Sequence, residues 1–145
     1  MRSEFSASAD INAPAEQVWA LVNDFDEWPR WIRGIKRIEQ LSPGPLGKGS
    51  RLCVTARFII TVKLYMTLTE FLAPQRAVME GRVLGTRMTR YYVLEPAGKA
   101  TRLTVGGDLE GPLAFLVRRG GQALSRQIVQ GAKRKIEGST SLNAV

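Results

Sequence analysis

Apolar and polar positions alternate from the start of the chain. In residues 3–12, SEFSASADIN, Phe5, Ala7, Ala9 and Ile11 fall on one face, and this period of two predicts a β-strand. The period then lengthens. In APAEQVWALVND, Val18, Leu21, Val22 and Phe25 recur at helical spacing, Pro14 suits a first helical turn and Glu16 suits the positive end of a helix dipole. Pro29 interrupts any continuation, so a second, short helix is predicted near 25–31.

From about residue 34 the strand period returns. SPGPLGKG at 42–49 reads as a turn, and the runs 50–58, 60–70, 76–84, 87–95 and 101–110 read as strands. Short strands with turns but no helices between them predict an antiparallel meander. Gly111-Pro112 opens the last element, a helix expected to end near Glu137. Its apolar stripe is Leu113, Leu116, Val117, Leu124, Ile128 and Ala132, opposite Arg118, Arg119, Arg126, Lys133 and Arg134. Gly120-Gly121 and Gly131 lie inside it. Each costs about 1 kcal/mol against Ala, which predicts a bend or a close approach by another element. Residues 139–145 are expected to be a flexible tail behind a single domain spanning 1–138.

This order of elements resembles the START/Bet v 1-like (SRPBCC) superfamily. INAPAEQVWALVNDFDEWPRWIRGI is similar to the opening of its polyketide cyclase/dehydrase and lipid-transport members, and LGKGSRL and GKATRLTV fall where that family has glycine-marked hairpins. The resemblance covers about residues 3–138. It implies an α+β helix-grip fold: a curved seven-stranded antiparallel sheet wraps a long C-terminal helix, with two short helices after the first strand. It also implies an apolar cavity between sheet and helix.

Polarity separates the two faces of the sheet. Leu52, Val54, Ala56 and Phe58 are expected inward, with Arg51, Cys53, Thr55 and Arg57 outward. Val62, Leu64, Met66 and Leu68 follow inward, then Ala77, Met79, Gly81 and Val83, then Leu103, Val105, Gly107 and Leu109. Residues 87–95 break the pattern, because Met88, Arg90, Tyr92 and Leu94 share one face. If that face is inward, Arg90 and Tyr92 bring polar groups into an apolar chamber. A buried guanidinium needs a carboxylate, carbonyls, waters or an anionic ligand head; the alternative is that Arg90 sits at the mouth and reaches water.

The expected ligand-contacting set is therefore Val54, Phe58, Leu64, Met66, Met79, Met88, Arg90, Tyr92, Leu103 and Val105 from the sheet. Leu116, Val117 and Leu124 join from the terminal helix, and Trp28 and Trp31 from the segment around Pro29, near where the superfamily places its cavity entrance. Methionines suit an irregular pocket, and equally an ordinary core.

Composition narrows the chemistry. The chain has 145 residues, 44% hydrophobic and 23% charged, an ordinary globular balance. It contains no histidine and one cysteine, which removes Ser–His–Asp and Cys–His catalysis and leaves almost no donors for zinc. No metal and no cofactor are expected. Tyr92 and Arg90 are the weak candidates for catalysis, with Tyr65 and Tyr91 behind them, since an indole is neither acid nor base near neutrality. GPLGKGS at 44–50 lacks the spacing of a phosphate loop and reads as a hairpin turn. The acids Asp24, Asp26 and Glu27 read as helix-junction caps. The lone Cys53, with no leader and no membrane span, fits a cytoplasmic protein.

The net charge of +8 leaves an anionic membrane surface, nucleic acid or an anionic ligand open; no nucleic-acid motif accompanies it. Three functions follow from the resemblance and these residues. The first is a carrier or sensor of a lipid, isoprenoid quinone or polyketide-like compound. The second is a cyclase or dehydratase without metal or histidine. The third is a basic module that docks on membrane or ribosome. Oligomeric state is not legible.

Overall fold

The computed structural model of the chain describes residues 2–57 and 60–143. Strand β1 (Arg2–Ile11) is followed by helix α1 (Ala15–Val22), a 3-10 turn (Phe25–Glu27) and the single-turn helix α2 (Trp28–Trp31). Six strands come next: β2 (Ile35–Gln40), β3 (Arg51–Arg57), β4 (Thr61–Leu72), β5 (Arg76–Val83), β6 (Thr86–Ala97) and β7 (Ala100–Glu110). Helix α3 (Ala114–Asn143) closes the order. The strands form one sheet, β1-β7-β6-β5-β4-β3-β2, with every neighbour antiparallel. This is the helix-grip architecture.

Alternation is what makes the sheet one-sided. Along β4, Leu64, Met66 and Leu68 are buried while Lys63, Tyr65 and Thr67 are exposed. Along β7, Leu103, Val105 and Leu109 are buried. Helix α3 lays Leu124, Ile128, Val129, Ala132 and Ile136 onto this inner face, joined by Val18 and Val22 of α1. Burying one such aliphatic side chain is worth about 1.5–3 kcal/mol, so sheet and helix hold each other.

Two glycines of α3 permit close packing. A Cβ at Gly121 would lie 2.9 Å from the Phe5 ring, and one at Gly131 would lie 2.8 Å from Cε3 of Trp31. The expectation of a close approach holds at both positions. Helix α3 also covers the free edge of β1. The Gln122 amide accepts from the Ser6 N–H at 3.2 Å and donates to the Ser6 carbonyl at 2.7 Å, and Arg118 Nε donates to the Glu4 carbonyl at 2.9 Å. Side chains stand here for the missing neighbour strand, which removes a template for edge-to-edge pairing.

Some expectations are corrected. Helix α3 begins at Ala114 and continues to Asn143 rather than ending near Glu137. Its first turn presents Ala114 and Val117 to the core, so Leu116, two residues and about 200° on from Ala114, is 59% exposed. Leu116 therefore faces solvent rather than the sheet. Cys53 is buried although alternation sets it outward, between the cross-strand neighbours Glu39 and Tyr65. No helix among the described residues is long and apolar enough to cross a membrane.

Candidate functional site

The inner face of the sheet and α3 enclose an apolar space under the segment at 25–28. Its walls are Leu52 and Val54 of β3, Leu64 and Met66 of β4, Met79 of β5, Met88, Arg90 and Tyr92 of β6, and Val105 of β7. Leu124 and Ile128 line it from α3, Ile35 and Ile38 from β2, and Phe25 and Trp28 from the aromatic segment. The void itself measures only about 40 Å³. That is room for about one water, against roughly 300–1,000 Å³ for a site that holds a drug-sized ligand. An apolar cavity with room for a guest was expected; the space left between sheet and helix is much smaller. The larger hollows are grooves open to the surface, such as the 460 Å³ one beside Arg2, Glu4, Asp108 and Arg118.

The aromatic segment forms the cover. Phe25 and Trp28 meet edge-on with ring centroids 5.3 Å apart, and Trp28 and Trp31 lie 5.9 Å apart. Gln127 of α3 accepts from the Gly34 N–H at 2.8 Å, tying the end of this segment to the helix. Trp28 reaches the space, whereas Trp31 is turned onto Gly131 and does not line it. Both indole N–H groups are buried without an acceptor among the described residues.

Besides the Trp28 indole, the polar side chains of the wall are Arg90, Tyr92 and Tyr91, and the first two are tied to α3 and to the end of α1. Tyr92 Oη donates to Asn23 Oδ1, and Asn23 Nδ2 donates to the Trp19 carbonyl at 2.9 Å. Burial pushes the Tyr92 phenol pKa well above its ordinary value, so it stays protonated. Arg90 donates to Ser125 Oγ at 3.1 Å, and its guanidinium carbon lies 5.5 Å from the centre of the Phe5 ring. Burial lowers its pKa to about 10, which leaves it a cation at neutral pH. It makes no ion pair among the described residues. Arg90 thus lies against α3, half-buried, with no acid paired to it among the described residues.

Of the residues expected to contact ligand, Trp28, Val54, Leu64, Met66, Met79, Met88, Arg90, Tyr92, Val105 and Leu124 meet at this space. Leu103 is fully buried in the core but off the space, and Val117 packs at the core's margin. Trp31 and Leu116 lie elsewhere, and Phe58 falls outside the described residues. Leu52 and Ile128 join with the phase their own strand and helix patterns give them. Asn23 and Ser125 carry no local signal, because each acquires its role from a partner 69 and 35 residues away.

The comparisons bear on this geometry. The model of the family described as polyketide cyclase / dehydrase and lipid transport matches residues 2–137. The chain belongs to that family. No curated protein matches the sequence. Among solved structures, Ara h 8.0201 is similar at a TM-score of 0.76 with 19% identity, over 95% of this chain and 99% of that one. A START superfamily protein from Mycobacterium smegmatis is similar at 0.76 with 17% identity, over 93% and 97%. The di-domain ARO/CYC StfQ from the steffimycin biosynthetic pathway is similar at 0.82 with 13% identity, over 97% of this chain and 52% of that one. These likenesses show a shared fold. The family member described here thus has their fold, with an apolar interior of only about 40 Å³.

Proposed function

We propose that this protein binds a hydrophobic small molecule between its sheet and α3, as a carrier or sensor. The observation that carries the reading is the wall itself: aliphatic side chains with three methionines, Met66, Met79 and Met88, on three adjacent strands. A void of about 40 Å³ admits no such guest, so binding requires the wall to give way. Methionine is suited to that, with an unbranched chain of rotatable bonds and a polarisable sulfur that repacks at low cost. The cover gives a second route, since the 3-10 turn and α2 are only three and four residues long. Affinity comes from apolar area removed from water, at about 25 cal/mol per Å².

A cyclase or dehydratase needs an acid and a base converging on one point. Tyr92 and Arg90 are engaged with Asn23, just past α1, and with Ser125 of α3, and no carboxylate lines the space among the described residues. This supports binding over catalysis. The test is native mass spectrometry of the protein purified gently from its source, followed by organic extraction. A stoichiometric apolar compound is the expected result. Empty protein, together with no change in melting temperature across a panel of lipids and quinones, contradicts the reading.

A further inference from the structure

Donors and acceptors do not balance in the wall of this space. Arg90 brings five N–H donors on a fixed planar fork. The protein answers with one neutral acceptor, Ser125 Oγ, and the face of Phe5. Ser125 spends its own proton on the Gly121 carbonyl at 2.8 Å, so it is fixed as an acceptor and adds no charge. Trp28 adds a further donor, its buried indole N–H, with no acceptor among the described residues. Tyr92 gives its proton to Asn23, and Tyr91 also lines the space. The lining thus holds one full positive charge and no negative one.

Arg90 is half-buried; taking a guanidinium even part-way out of water without a counter-charge is costly, and the usual remedy in a protein is a paired carboxylate. Here no carboxylate pairs with Arg90 among the described residues, although acids are available elsewhere: Arg2, Arg30, Arg37, Arg76, Arg87 and Arg102 all have one within 4 Å. Building on the hydrophobic-ligand reading above, we infer that the ligand of this space is an amphiphile with an apolar body and a carboxylate head, and that Arg90 is the residue that receives that head. Two parallel N–H···O bonds between guanidinium and carboxylate would fix the ligand's orientation, leaving its apolar body against the methionines.

Matched ten-carbon probes test this. Binding of decanoate and of decan-1-ol to the intact, delipidated protein is measured by calorimetry at 0.15 M salt, for the wild type, Arg90→Met and Arg90→Lys. The expected result is decanoate bound at least tenfold more tightly than decan-1-ol by the wild type. That preference is lost in Arg90→Met, with decan-1-ol affinity kept, and partly retained in Arg90→Lys. A preference that persists in Arg90→Met belongs to the +8 surface and overturns the inference. Equal binding of the two probes by the wild type overturns it too, while leaving the hydrophobic-ligand reading intact. Binding of neither probe removes both.

Discussion

Trp31 rests on Gly131: a Cβ at that position would lie 2.8 Å from Cε3 of the indole and 3.1 Å from the Trp31 carbonyl oxygen. The aromatic cover of the interior is therefore seated on α3 through the absence of one methyl group. Gly131→Ala gains about 1 kcal/mol of helix propensity but forces α2 outward, and overpacking costs about 1–3 kcal/mol. A net loss of stability is expected in urea unfolding, with a blue-to-red shift of tryptophan fluorescence as the cover loosens. Gly138→Ala is the control. Nothing lies within 4 Å of its added Cβ, so it should stabilise by up to about 1 kcal/mol.

Arg90 is a stability cost. Replacing a half-buried charge held without a counter-ion by an apolar side chain of similar length removes its desolvation, at the loss of one neutral hydrogen bond and the cation–π contact with Phe5. Arg90→Met is expected to raise the unfolding free energy by about 1 kcal/mol at pH 7, read as a higher urea midpoint with an unchanged slope.

Tyr92 predicts the alkaline limb of stability. Its phenol pKa is raised by burial, so above pH 10 the unfolded chain loses this proton while the folded chain keeps it. The unfolded state then binds fewer protons, and stability falls as pH rises. Arg90, lowered to about 10, acts in the opposite sense, because between pH 10 and 12.5 the folded chain is the one that loses the proton. Tyr92→Phe should abolish the tyrosine-linked fall and cost about 1–3 kcal/mol at pH 7 by stranding Asn23 Oδ1. Chemical denaturation from pH 7 to 11 separates the two.

Gln122 guards the β1 edge. Gln122→Ala removes both hydrogen bonds to Ser6 and exposes that stretch to water. A loss of about 0.5–1.5 kcal/mol is expected, with faster amide exchange at Ser6 and little change on the buried strands.

The sheet was legible because its strands are half-buried: where Lys63, Tyr65 and Thr67 alternate with Leu64, Met66 and Leu68, period alone assigns the faces. It failed at Cys53, whose burial comes from cross-strand neighbours, and at Leu116, where the phase of α3 depends on the helix starting at Ala114. Arg90 and Tyr92 were recognisable as polar residues on an apolar face. Their partners were not, since Ser125 and Asn23 meet them only after the sheet has curled around α3. Nor does any pattern of residue types report whether an apolar interior is hollow. That depends on rotamers, and three methionines are enough to fill it.

The central claim is that this closed interior opens for an apolar guest, and the methionines themselves can report it. The chain has four, and Met66, Met79 and Met88 line the space. Carbon-13 methyl NMR of the methionine-labelled protein is titrated with a hydrophobic ligand such as decanoate. Saturable shifts at one equivalent are expected in the three interior methyls. Interior methyls that stay fixed at saturating ligand would contradict it.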